Sequence, residues 1–444
     1  MADEPVLILG GGIAGLSAAY RFREHDIHVP VYEAGERPGG LLDSFTLDST
    51  EGTWTFDNAV HLSFATEPEV RAVFDRTPYL NHEARSLNRD GDYWLPHPVQ
   101  NNMFPLPAEE KTDLIIDLVN HLTQASSDLR PANYRDWLLH QYGEKIAERW
   151  PLRYTRKYWT LDAAEMGTEW IGNRMRRADL REVVFGSVSD NPPNTYYVST
   201  MRYPERGGYR AFLQPLLDTA DVRCGFRASA IDNRRKQVTF ANGEVRSYDQ
   251  MISSIPLPVL IGLMTDVPDD IRELAASLFA TSIDIVSIGF RKAKVSPSLW
   301  FYIYDEDILA ARVYSPSIKS PNNTPEGHSS LQFEIYSSRA KEQTLQPSEL
   351  IENCIHSLEK MGLASRDDIV LTHHKHLPFG NVVFDLGMES RRGRVRDWVN
   401  DQGIILAGRF GEWDYLWSNQ AFMSGRNAAD LVQATLDQQH GNPS

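Results

Sequence analysis

Cysteine is nearly absent from this chain: its 444 residues include two, Cys224 and Cys354. Two thiols cannot build a disulfide framework at this size, and neither belongs to a metal-spaced cluster, so both read as ordinary reduced thiols and no metal site is expected. Long apolar runs are also missing. The most apolar stretch, Ile252 to Met264, contains Pro256 and Pro258 and is far shorter than the ~20 residues a membrane-spanning helix needs. Positive charge is scarce. Lys and Arg number 45 against 60 Asp and Glu, a net charge of −15, which excludes nucleic acid as the main partner because duplex binding needs a basic face. A local basic pocket for a phosphorylated small molecule remains compatible. Repeats of about 20–50 residues are lacking, which excludes a solenoid. The start, Met1-Ala2-Asp3-Glu4-Pro5, is acidic and runs into a strand, unlike a signal peptide. A cytoplasmic protein with no membrane partner is expected; its oligomeric state is not readable.

Hydrophobic residues at 41% and charged residues at 24% are ample for a packed core, and the length suggests about three units of roughly 150 residues. The first forty residues are the most informative. Val6-Leu7-Ile8-Leu9 is a short apolar run that predicts a buried parallel strand. It enters Gly10-Gly11-Gly12-Ile13-Ala14-Gly15, then a helical pattern through Leu16, Ala18, Ala19 and Phe22, then a second strand over Val29–Tyr32 ending in Glu33. This is strand, G-x-G-x-x-G, helix, strand, acid. Gly10 permits the tight turn, Gly12 lets a pyrophosphate approach the backbone, and Gly15 lets helix and strand pack closely. The helix N-terminus offers free N–H groups to phosphate. Glu33 suits an unmodified ribose diol, so the cofactor is FAD or NAD rather than NADP.

The continuation Glu33-Ala34-Gly35-Glu36-Arg37-Pro38-Gly39-Gly40-Leu41 resembles the extension found in FAD-dependent amine oxidases and their relatives, which selects FAD. There the glycine pair meets the pyrophosphate and Arg37 reaches a phosphate. Two further segments suit a discontinuous cofactor domain. One holds a hairpin, Gln237–Phe240 and Glu244-Val245 about Asn242-Gly243, read as a type I′ turn, and leads into Met251–Pro256. The other is the strand Gly403–Arg409 followed by a helix from about Asn419 to Leu436. Residues 107–185 carry helical spacing, and 281–341 alternate like strands. The fold expected is α/β: a Rossmann-like FAD domain from 1–75, 205–255 and 390–440, a helical substrate insertion over 107–200, and an antiparallel β-sheet substrate domain from 76–106 and 256–389.

Four stretches resemble the UDP-galactopyranose mutase family, more closely its eukaryotic-type branch. They are Phe56-Asp57-Asn58-Ala59-Val60-His61; Trp94-Leu95-Pro96-His97-Pro98-Val99-Gln100-Asn101-Asn102; Arg312 with Ser317-Ile318-Lys319-Ser320-Pro321; and Gly408-Arg409-Phe410-Gly411-Glu412-Trp413-Asp414-Tyr415-Leu416-Trp417-Ser418-Asn419-Gln420. The segments Trp170–Arg174 and Tyr203–Gly208 extend the likeness over most of the chain. It implies interconversion of pyranose and furanose nucleotide sugars through attack of reduced FAD N5 on the anomeric carbon, with NAD(P)H as one reductant. It also implies roles. Arg312 and Arg409 hold the departing diphosphate and His61 tunes the flavin. Gln100, Trp150, Arg174, Tyr415 and Asn419 contact the substrate, Trp150 by stacking on the base; Tyr314 has a weaker claim. Ala14, Gly40, Leu41, Ala228, Gly408, Ser418, Asn419, Gln420 and Met423 join Gly10, Gly12, Gly15, Glu33 and Arg37 around the cofactor.

Departures cluster on the substrate side. His97, Val99, Ile318-Lys319 and Thr155 replace the family's tyrosine, phenylalanine, Asn-Tyr and asparagine, so the nucleotide and sugar are open. Lys319 is expected to meet a substrate carboxylate or phosphate. The alternative is an amine or protoporphyrinogen oxidase, which needs an apolar face for its hydride donor; two clustered arginines disfavour it.

Overall fold

The computed structural model describes residues 3–124, 131–172, 175, 178–193 and 198–439. Its first strand, Asp3–Leu9, forms where predicted, with Val6, Leu7, Ile8 and Leu9 all buried. It is the middle of a parallel sheet. Val31–Tyr32 and then Val222–Arg223 lie on one side, and Val245–Ser253 and then Ile404–Leu406 on the other. The second strand is shorter than the expected Val29–Tyr32 because Pro30 has no amide to donate to the ladder. The hairpin of Gln237–Phe240 with Val245–Ser253 is present, but its turn differs from the one predicted. Gly243 alone has positive φ, its N–H donates to the Phe240 carbonyl, and Phe240 N–H donates to Glu244. That is a three-residue loop with a glycine bulge, not the two-residue I′ turn.

The helices Ile13–Arg23 and Ser418–Gln439 pack on the parallel sheet and against each other. Small residues permit the approach: a side chain at Gly425 would collide with the Ala14 carbonyl, and one at Gly408 would meet Ala14 Cβ at 2.6 Å. Both loops that lead into these helices therefore sit at the carboxyl ends of the strands, where α/β folds bind ligands.

The second sheet runs in the order Ile369–Leu377, Ser282–Phe290, Ser329–Ser337, Arg312–Tyr314, Trp300–Ile303, Leu87–Asp90, Tyr93–Pro96. It is antiparallel except where Leu87–Asp90 runs parallel to Trp300–Ile303. The two long central strands do not alternate between core and solvent as their sequences suggested. Ser282–Phe290 and Ser329–Ser337 are buried on both faces, one under the helix Pro347–Lys360 and the other toward the parallel sheet. The helical insertion holds Ala108–Gln124, Tyr134–Arg149, Pro151–Tyr158 and Leu180–Val188. Among the described residues, no helix is long and apolar enough to cross a membrane.

A fully buried ion pair joins the Gly52–Asp57 strand to the segment that follows Tyr314. Lys319 Nζ lies 2.9 Å from Asp57 Oδ2, with both side chains removed from solvent. Asp57 also accepts from Ser44 Oγ, the Tyr203 hydroxyl and the Tyr209 amide, and the Lys319 ammonium lies over the Tyr314 ring. Burial opposes ionisation of Asp57, but Lys319 and these donors win and hold its pKa below the ordinary carboxylate value. Lys319 is thus a structural cation and does not face a substrate, contrary to the expectation from sequence. Lys319→Met is expected to cost about 3–5 kcal/mol in denaturant unfolding by stranding a buried carboxylate. The double variant Asp57→Asn/Lys319→Met should recover most of that loss.

Candidate functional site

A cavity of about 860 Å³ runs from the glycine-rich turn to the second sheet. At its nucleotide end Gly10 has positive φ, and a side chain there would strike Ser254 Oγ. Gly12 faces open space, and the helix Ile13–Arg23 begins beside it with no side-chain cap. Both oxygens of Glu33 accept backbone N–H bonds at 2.7 Å, from Gly11 and Gly35, so the acid holds the loops as well as facing the cavity. Gly39 and Gly40 both take positive φ, and Gly40 approaches the Gly12 Cα. An uncapped helix N-terminus, a cradle without side chains and a carboxylate at the ribose distance along the chain fit a dinucleotide.

Of the residues expected around the cofactor, Gly10, Gly12, Ala14, Glu33, Gly40 and Leu41 line this cavity, as do Ala228, Gly408 and Ser418. Others are elsewhere. Gly15 is a packing glycine, since a Cβ there would collide with the Gly10 carbonyl. Arg37 turns away onto Asp43 at 2.9 Å and the Ser44 carbonyl, its side chain 50% exposed. Asn419 donates to Glu67 at 2.7 Å. Gln420 and Met423 border a second cavity, about 450 Å³, behind the last helix.

The far end of the main cavity brings together His61, Arg312, Arg409 and Tyr415. Arg312 donates through Nε and Nη2 to the fully buried Glu334 at 2.7 and 2.6 Å, and Nη2 also to the Tyr336 hydroxyl. Arg409 differs. Its guanidinium meets only neutral acceptors, the carbonyls of Leu416 and Gly380 and the Asn381 side chain, and lies over the Tyr415 ring. Among the described residues no carboxylate pairs with Arg409. The hydroxyls of Tyr415 and Tyr158 lie 3.0 Å apart in the same wall.

His61 lines the same cavity. Its Nδ1 is 3.1 Å from the Ala59 carbonyl and therefore carries the proton, and its ring packs near Tyr209. Burial pushes its pKa down to about 3; Asp57 opposes that shift, while Lys319 and Arg409 reinforce it. It is an uncharged imidazole at neutral pH. The backbone before it is strained: Ala59 has φ near 122°, unusual for a residue with a Cβ.

Besides Asn419, three expected substrate residues are not at this cavity's wall or fall outside what is described. Trp150 is fully buried, its indole N–H on Asp90 at 3.0 Å and Arg149 over its ring; it is a core tryptophan. Gln100 lies in the short helical turn Val99–Asn101, away from the lining. Arg174 lies outside the described residues. Tyr314 is fully buried, 3.5 Å from the Asp57 carbonyl. Glu334, Tyr158, Tyr336 and Asn381 were not anticipated. The first of these lies in the alternating stretch Leu331–Tyr336, where a carboxylate gave no signal of burial.

Comparison with known proteins agrees with this architecture. The model of the family described as flavin containing amine oxidoreductase matches residues 13–433, and the chain belongs to that family. A crystal structure of reduced UDP-galactopyranose mutase superposes with TM-score 0.90 at 28% identity, covering 97% of this chain and 95% of that one. A candidate protoporphyrinogen oxidase of Exiguobacterium sp. 255-15 gives TM-score 0.74 at 18% identity, covering 98% and 100%, a likeness of fold alone. The carotenoid phi-ring synthase of Streptomyces griseus is 34% identical over 97 residues, 21% of this chain and 18% of that protein. The chain thus spans under a fifth of that relative. FAD is the cofactor this family implies.

The His61 environment has a measurable consequence. Unfolded, a histidine binds its proton near pH 6.5; folded, His61 does so only near 3. Between those values the unfolded state takes up the proton first, so stability falls as pH drops through that window. The variant His61→Gln should lose less stability than wild type between pH 6.5 and 4 in denaturant titrations.

Proposed function

We propose that this flavin-dependent enzyme interconverts the pyranose and furanose forms of a nucleotide-diphosphate sugar, in the manner of the eukaryotic-type UDP-galactopyranose mutases. The observation that carries this reading is the cation of Arg409, which faces the cavity without a counter-charge among the described residues. A half-buried cation without a counter-charge is partly desolvated and uncompensated, and an anionic ligand is what compensates it. FAD, when bound and reduced, supplies a nucleophilic nitrogen for the anomeric carbon.

The chain's own residues then hold what leaves and returns. Arg409 and the remaining Nη1 of Arg312 bracket a diphosphate, which a guanidinium can grip with two parallel bonds. The Tyr158 and Tyr415 hydroxyls, already hydrogen-bonded to each other, can turn one proton toward a phosphate or sugar oxygen. His61, uncharged and with Nδ1 occupied, presents Nε2 as an acceptor rather than as an acid. The aromatic walls of Tyr158, Trp300, Tyr302 and Tyr336 exclude water from a sugar whose anomeric bond is open. NAD(P)H as reductant and the tripartite domain division belong to the same proposal.

The test is an anaerobic incubation of the FAD-loaded protein, reduced with dithionite, with a panel of nucleotide-diphosphate pyranoses followed by NMR. Furanose products are expected from the reduced protein and none from the oxidised one. Bleaching of the oxidised flavin by amines or porphyrinogens, with no sugar converted, would instead establish an oxidase. Arg409→Lys keeps the charge but loses the fork, and should lower kcat/KM by about 10- to 100-fold, the equivalent of one charge-assisted hydrogen bond.

A further inference from the structure

Glu334 is a buried carboxylate that bonds two cavity-lining residues from different parts of the chain, Arg312 and Val60. It lies directly across the ladder from Arg312 and is wholly removed from solvent. Four donors saturate it. Oε2 takes Arg312 Nε at 2.7 Å, Arg312 Nη2 at 2.6 Å and the Tyr336 hydroxyl at 2.7 Å. Oε1 takes the backbone N–H of Val60 at 2.8 Å.

Val60 sits between two residues of consequence. Ala59 before it holds the positive φ noted above, and its carbonyl fixes His61 Nδ1. His61 after it lines the cavity. The strain at Ala59 persists only because the surroundings over-determine it, and the Val60 bond to Glu334 is one of those restraints. Asn58, held by Lys375 and by the Gly40 carbonyl, is another.

From this geometry we infer that Glu334 is a positioning residue which couples anion binding at Arg312 to the His61 segment that faces the cofactor. An anion held by the free Nη1 of Arg312 pulls on the same guanidinium that Glu334 holds through Nε and Nη2. A carboxylate with all four donors engaged cannot follow Arg312 without loosening Val60, so occupancy of the anion site and the setting of His61 become one equilibrium. Such coupling is reciprocal. The cofactor's redox state must change anion affinity by the same factor by which the anion changes the cofactor's redox equilibrium. The inference rests on the anion-site reading made under the proposed function.

The experiment uses FAD-loaded protein and inorganic pyrophosphate as the probe, titrated by calorimetry into the oxidised and the dithionite-reduced forms. In wild type the two dissociation constants should differ by at least about five-fold, the lower end of ordinary allosteric coupling. In Glu334→Gln, which leaves Arg312 without its counter-charge, the ratio should fall to within two-fold while pyrophosphate still binds. Glu334→Asp keeps the buried charge, and so protects folding, but is one methylene too short to hold Arg312 and Val60 together; its ratio should collapse as well. A merely structural role would lower FAD loading or stability and leave the ratio of the loaded fraction unchanged, which would overturn the inference. A wild-type ratio within two-fold would overturn it too. Pyrophosphate failing to bind in either redox state would sink the anion-site reading and this inference together.

Discussion

Two full charges, on Asp57 and Lys319, sit 2.9 Å apart with no access to water, and much else in the molecule follows from the need to satisfy them. Removing ions from water costs several kcal/mol each unless geometry and further hydrogen bonds compensate. Asp57 meets that need with its lysine and three further donors, drawn from the hairpin, the Thr200–Pro204 strand and the turn that follows it. The end of the Gly52–Asp57 strand is thereby pinned against the second sheet. The residues that follow, 58–61, have to cross the seam between the two halves, and that crossing is where the cavity lies.

The same arrangement is repeated closer to the chemistry and then broken off. Glu334 neutralises Arg312 as Asp57 neutralises Lys319, and both carboxylates are saturated. Arg409 has no such partner among the described residues. What the chain puts beside each of these three buried or half-buried cations sets them apart. Lys319 is wholly consumed by structure, Arg312 is partly consumed, and Arg409 meets only neutral acceptors among the described residues.

Sequence carried the cofactor half well, because its logic is local. The strand, glycine turn, helix and acid occur within about thirty residues, and each glycine has a steric reason that does not depend on distant contacts. Arg312, Arg409, His61 and Tyr415 were also legible, through a resemblance of motifs, and the fold brings all four to one cavity. What escaped was decided at long range. Lys319 read as a substrate contact because its partner is 262 positions away. Trp150 read as a stacking platform because nothing in its own segment shows that Asp90, sixty positions earlier, accepts its N–H. Glu334 went unassigned because its stretch alternates in sequence, yet both faces of that strand are covered. Arg37 and Asn419 were assigned to the cofactor and are instead taken by Asp43 and Glu67.

The scaffold is shared by proteins of different activity, so function lies in the charge pattern of the cavity and not in the fold. The measurement that bears on it most directly is a crystal structure of the reduced, FAD-loaded protein with UDP bound. The account predicts the diphosphate within hydrogen-bond distance of Arg409 and of Arg312 Nη1, on the side of the cavity that carries His61. A diphosphate bound elsewhere, or Arg409 turned away onto a carboxylate of the chain, would contradict it.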